Sequence, residues 1–142
     1  MQGGCGDDAV AGAHRDRAIR AVENALGRAG VDAHRPAPGA WGIAVTAAGW
    51  PLSVGIAFRD GHLLAQAEIL RAGDVDPQWL LHRNRRDLRL VRYATSAAGD
   101  VWVHGELPLT GVTATTVDEL LGRLIDAAEA ARAAADVRPP RR

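Results

Sequence analysis

From Val117 to Ala128 apolar side chains recur every third or fourth residue, and that period fixes a helix with one face that must be covered. Val117, Leu120, Leu121, Leu124, Ile125 and Ala128 make the stripe, while Asp118, Glu119, Arg123, Asp126 and Glu129 take the other positions. Thr113 or Thr116 can cap its start, and Thr116 with Glu119 has capping-box spacing. A second amphipathic helix is expected from about Asp16, with Ile19, Val22, Leu26 and Ala29 on one stripe and Gly30 closing it. Each helix needs an apolar layer to lie on.

Between the helices the period changes to two. Trp41, Ile43 and Val45 alternate with smaller residues, and Leu52, Val54, Ile56 and Phe58 share a face in the next run. Ala48-Gly49-Trp50-Pro51 supplies the turn between them, and Asp60-Gly61 is a strong hairpin signal before the run His62–Leu70. Asp76-Pro77 opens a short helix carrying Trp79, Leu80 and Leu81, which Asn84 can end. Two further strands, Leu88–Ser96 and Val101–Leu109, are joined by Ala97-Ala98-Gly99-Asp100. The segment Val31–Gly39, with Pro36, Pro38 and Gly39, reads as a connector.

The resulting order is helix, three strands, helix, two strands, helix. Antiparallel runs bracketed by helices predict an α+β fold with the helices packed on one sheet face. Residues 1–15, with Gly3, Gly4 and Gly6, are expected to be a flexible N-terminus, 16–135 one domain, and 136–142 a disordered tail ending Pro-Pro-Arg-Arg.

A length of 142 residues fits one core, and 47% hydrophobic content excludes a wholly disordered chain. Seventeen basic residues balance seventeen acidic ones, so no global field gathers nucleic acid or an anionic membrane. All the basic residues are arginines, as a GC-rich genome produces. A single cysteine, Cys5, excludes a disulfide scaffold. Neither a signal peptide nor an apolar run of the ~18 residues a membrane span needs is evident, which predicts a cytoplasmic protein.

Catalytic motifs are missing. There is no Gly-x-Ser-x-Gly elbow, and without lysine neither a standard phosphate-binding loop nor Schiff-base chemistry can be built. His14, His34, His62, His82 and His104 are too far apart in sequence for a local zinc pair. Asp74 and Asp76 resemble a metal-binding Asp-x-Asp, but Asp76 is already the helix cap and no further oxygen ligands follow. No motif calls for a cofactor or a metal, and the chain is expected to be no enzyme.

What the sequence offers instead is apolar surplus. Trp79, Leu80, Leu81, Tyr93 and Trp102, with His104 on the strand face of Trp102, exceed what a single helix layer over a sheet can hide. They are the expected partner or dimer surface. Beside them Arg83, Arg85, Arg86, Arg89 and Arg92 form the one charge cluster, suited to an acidic partner. Nucleic acid is the less favoured reading, since aromatic residues for base stacking are few.

Three local features resemble a known family. The helix end Leu80-Leu81-x-x-Asn84, the strand end Glu106-Leu107-Pro108-Leu109, and Gly111-Val112-Thr113 leading into Asp118-Glu119-Leu120-Leu121 look like YbjN-type proteins, which are similar in fold to type III secretion chaperones. The chain resembles an actinobacterial member. That resemblance implies a curved antiparallel sheet with helices on one face, homodimerisation through the middle helix and last strands, and capture of a partner segment in apolar grooves. It brings no catalytic residue. The expected function is a non-catalytic, chaperone-like module binding a protein or peptide. An accessory subunit of a peptide-tailoring or kinase-type enzyme complex is the alternative.

Overall fold

The computed structural model describes residues 3–135, with side chains from Ala9 onward. The tail 136–142 and the side chain of Cys5 lie outside the described residues. The order is α1 (Gly3–Ala29), β1 (Ala33–Ala37), β2 (Ala40–Ala47), β3 (Trp50–Arg59), β4 (His62–Leu70), α2 (Pro77–Arg86), β5 (Val91–Thr95), β6 (Val101–Pro108), a short 3-10 turn (Leu109–Gly111) and α3 (Ala114–Ala135).

Six strands pair antiparallel in the order β1-β2-β3-β4-β6-β5. After β4 the chain passes through α2 to the sheet's edge, lays down β5, and returns between β5 and β4 as β6. The α+β expectation holds. Both tight hairpins, Ala48-Gly49 and Asp60-Gly61, have positive φ at their two central residues, the turn whose twist matches the flanking strands.

α1 and α3 cover one face, onto which alternate residues point: Ile43 of β2, Leu52, Val54 and Ile56 of β3, Leu63, Ala65 and Ala67 of β4, Val101 and Val103 of β6. The α3 stripe meets them with Val117, Leu120, Leu124, Ala128 and Ala131. A buried leucine on this stripe contributes about 2 kcal/mol by area. At Gly105 a Cβ would run into Leu120 and Val91, so β6 carries glycine where α3 comes closest.

Three details differ from the sequence reading. The connector 31–39 contains β1, because an outermost strand tolerates Pro36: its missing N–H faces no neighbour in the sheet. α1 reaches back to Gly3 rather than starting at Asp16. Its buried Ala18, Val22, Ala25 and Leu26 nucleate the helix, and extending it through the alanine-rich 9–13 is cheap by comparison. The capping box of α3 is Thr113 with Thr116: the Thr116 N–H donates to Thr113 Oγ1 (3.0 Å) and the Thr113 N–H to Thr116 Oγ1 (2.8 Å). Glu119 instead pairs with Arg123 at 3.1 Å.

Candidate functional site

α2 starts as its sequence dictates. Asp76 accepts the Gln78 N–H at 2.9 Å and Pro77 takes the first helical position. The inner side chain, Leu80, is 4% exposed and anchors the helix in the core. Its neighbour Leu81 points outward and is 66% exposed. Trp79 is half-buried, its ring 5.9 Å from Tyr93 and the Arg83 guanidinium 5.2 Å from its centroid.

Asn84 holds α2 against the sheet. Its Nδ2 donates to the Tyr93 carbonyl at 3.0 Å, and its Oδ1 accepts the Tyr93 N–H at 2.7 Å. A side-chain amide thereby takes the place of a neighbouring strand at the middle of β5. Asn84 was expected to end the helix, which runs on to Arg86. Tyr93 reaches inward, and its hydroxyl donates to the Ala127 carbonyl of α3 at 2.6 Å. Burial pushes its pKa up to about 12, with nearby Arg83 pulling the other way.

The expected contact set therefore divides. Leu80 and Tyr93 are core residues and offer nothing to a partner. This corrects the expectation of a surface, and the reason is that β5 at the edge of the sheet turns Tyr93 onto the helix-covered face. Trp79 and Leu81 stay on the outside of α2, and Leu90, just before β5, is 41% exposed at a positive φ of 66°. Trp102 and His104 lie on the opposite, helix-free face of the sheet, half-buried, and are not brought together with α2. Two of the five apolar residues of the surplus, Leu80 and Tyr93, are thus absorbed internally.

Of the arginines, Arg83 is bridged to Asp87 at 3.0 Å and half-buried, so it is not available to a partner. Arg85, Arg86 and Arg89 are exposed and form no ion pair among the described residues. Arg92 faces Glu106 at 3.6 Å on the helix-free face. His104 between them has its pKa lowered, first by burial, then by Arg92, with Glu106 opposing. Asp74 accepts the Arg71 N–H at 3.0 Å, closing a turn. Among the described residues no three His, Cys, Asp or Glu side chains form a metal-holding group, and no helix is long and apolar enough to cross a membrane.

Sequence reasoning missed Arg132. It is 3% exposed and donates to the carbonyls of Ile69 (3.1 Å), Ala47 (2.9 Å), Trp50 (3.1 Å) and Pro51 (3.2 Å), its guanidinium 3.5 Å from the Trp50 ring centroid. Burial lowers its pKa. The signal was present: 117, 121, 124, 128 and 132 fall on the inward stripe, and a lone arginine there must find buried acceptors. Beside it, on the helix-free face, lies a cleft of about 620 Å³ walled by Trp50, Trp102, Gln66, Glu68, Arg71 and Asp74.

No protein-family model and no curated protein matches the chain. Solved structures do. The type III secretion chaperone SycH of Yersinia pestis, crystallised with a stable fragment of YscM2, gives a TM-score of 0.58 at 19% identity, covering 77% of this chain and 94% of its own. The HopA1–SchA chaperone–effector complex gives 0.63 at 11% identity, covering 84% and 93%. The ExoT–SpcS complex of Pseudomonas aeruginosa gives 0.51 at 17% identity, covering 80% and 96%. The fold is therefore that of the secretion chaperones.

Proposed function

We propose that this chain is a non-catalytic, chaperone-like module that binds a partner protein or peptide and works as a homodimer, with the outer side of α2 as its seam. The observation that carries the reading is Leu81. Among the described residues the exposed large apolar side chains are Val10, Leu81 and Leu90, and Leu81, on α2, is the most exposed of the three at 66%. Leu80, the Asn84 amide and the Asp76 cap fix α2 so that Leu81 is presented by a rigid element. A cleft of about 170 Å³ between Leu81, Pro77, Ala94 and Thr95 can receive an apolar side chain from a second copy. Arg85 and Arg86 at the end of α2 and Arg89 after it are exposed and suit an acidic segment of a partner.

The secretion-chaperone fold supports this reading, since the solved structures with it hold a second protein: a fragment of YscM2 with SycH, HopA1 with SchA, and ExoT with SpcS. The YbjN-type affiliation, on Leu80-Leu81-x-x-Asn84 and Glu106-Leu107-Pro108-Leu109, is part of the same proposal. Nucleic acid is disfavoured because Tyr93 is buried and the half-buried Trp79 ring, the other one beside the arginines, is already occupied by contacts with Tyr93 and Arg83. Sedimentation of the wild type and of Leu81→Arg decides the matter. The expected result is a dimer at micromolar concentration for the first and a folded monomer for the second. A wild type that stays monomeric overturns the reading.

A further inference from the structure

The cleft of about 620 Å³ on the helix-free face takes no part in the preceding proposal, and its size falls in the range of small-ligand sites. β4 and β6 place Glu68 directly opposite Trp102. Both point to the helix-free side, because their chain neighbours Ala67, Ile69, Val101 and Val103 are buried on the other. Asp74, in the turn after β4, and Ser53 and Gly55 of β3 continue the lining. A Cβ at Gly55 would meet nothing within 4 Å, so the floor there is bare backbone under open space. Trp50, at the end of the cleft, turns its ring inward onto Arg132 and lends the site no aromatic face.

The four tryptophans differ in what lies over their rings. Trp41 has the Arg35 guanidinium at 5.6 Å, Trp79 that of Arg83 at 5.2 Å, and Trp50 that of Arg132 at 3.5 Å. Among the described residues no cation stands over Trp102, which is half-buried beside the cleft. Glu68 and Asp74 likewise form no ion pair among the described residues, and Asp74 uses Oδ2 alone on the Arg71 N–H. The nearby cations are engaged or stand at the rim. Arg132 gives its donors to four carbonyls, Arg92 faces Glu106 at 3.6 Å, and Arg71 is exposed. An indole face that shares a cleft with two carboxylates attracts a positive group by its quadrupole and by their charge together.

We propose that this cleft is a binding site for an organic cation, a guanidinium or ammonium group laid on the Trp102 ring and hydrogen-bonded by Glu68 and Asp74. Such a group only donates, and ionised carboxylates only accept, so the pairing uses both fully. Gln66 adds a further side-chain carbonyl at the wall. A neutral ligand of the same shape gains the ring without the charge, and an anion is repelled by both carboxylates. Arg71 opposes the incoming cation and holds the affinity down. The group can come from a basic side chain of an extended partner segment or from a free polyamine. Because the site is built on β3, β4, β6 and the turn after β4, it stands whether or not α2 is a seam.

The test titrates full-length protein at fixed ionic strength with the end-blocked peptide Ala-Ala-Arg-Ala-Ala and with spermidine, following the four indole N–H signals by NMR. The same peptide with citrulline, a neutral isostere, in place of arginine is the control. The expected result is a saturable shift of the Trp102 signal in the millimolar range, with Trp41 and Trp79 in place. Glu68→Gln/Asp74→Asn is expected to weaken binding about fivefold while leaving the Trp41 and Trp79 signals unchanged, and Arg71→Ala to tighten it. A stronger response to the peptide assigns the site to a partner's side chain, and a stronger response to spermidine assigns it to a free amine; either supports the proposal. A Trp102 signal unmoved by both cations overturns it. So does a citrulline peptide that binds as well as its arginine parent, or a double variant that binds as the wild type does. Because Leu81 and α2 are untouched, the dimer test above is independent of this outcome.

Discussion

The two edges of the sheet are built in opposite ways. β1 is exposed at every residue, pairs with β2 through an irregular register between His34 and Ala37, and carries a proline. β5 has the same length, yet its centre is closed by the Asn84 amide, Val91 and Tyr93 are buried, and Tyr93 is tied to α3. An unpaired edge invites other strands, and the two are protected differently: β1 by proline and irregularity, β5 by a helix that supplies a substitute for the missing neighbour. The second solution leaves the outside of that helix, with Leu81, free to take a partner without strand pairing.

The comparison can be broken most forcefully at Leu80. Leu80→Ala should cost about 2–5 kcal/mol in denaturant unfolding, because it removes the buried anchor of α2. A loss comparable to that of an exposed β1 residue would mean α2 is not held as described. Next in size is Asn84→Ala, expected to cost about 1–3 kcal/mol by leaving the partly buried Tyr93 N–H and C=O without partners. Its signature is faster amide exchange at Tyr93 with β1 unchanged, and slow exchange there would contradict the substitute-strand role.

Tyr93→Phe is milder, about 1 kcal/mol for the bond to Ala127. It also removes the alkaline pH dependence that the Tyr93 phenol imposes on stability. The folded pKa, about 12, lies above the ordinary 10, so between those values the unfolded chain loses a proton that the folded chain keeps. Stability is therefore full below pH 10 and falls as pH rises from 10 toward 12. Tyr93 is the only tyrosine, so phenolate absorbance reports it alone. A midpoint near 10 in the folded protein would contradict the burial argument. Smallest is Arg35→Ala on β1, which loses an exposed ion pair to Glu23 (3.3 Å) and a cation over Trp41 (5.6 Å). It should shift stability by at most about 1 kcal/mol.

The sequence carries the same contrast in legibility. Local signals of strong period were readable: the α3 stripe, the Asp60-Gly61 hairpin, the Asp76-Pro77 start. β1 was hidden because Pro36 and Pro38 argue against a strand, and only its place at the edge, a fact of topology, excuses them. Tyr93 and Leu80 looked like surplus for the same reason, since nothing in residues 91–95 says that β6 will lie between β5 and β4. The role of Asn84 depends on a backbone nine residues away in sequence, and that of Arg132 on carbonyls more than sixty residues away. Periodicity does not encode such pairings.

Hydrogen–deuterium exchange followed across a dilution series puts the account at greatest risk. If the outside of α2 is covered by another copy, residues 77–86 lose protection as the protein is diluted while residues 33–37 exchange at an unchanged rate. Dilution that deprotects 33–37 and leaves 77–86 untouched would place the contact at the other edge and contradict it.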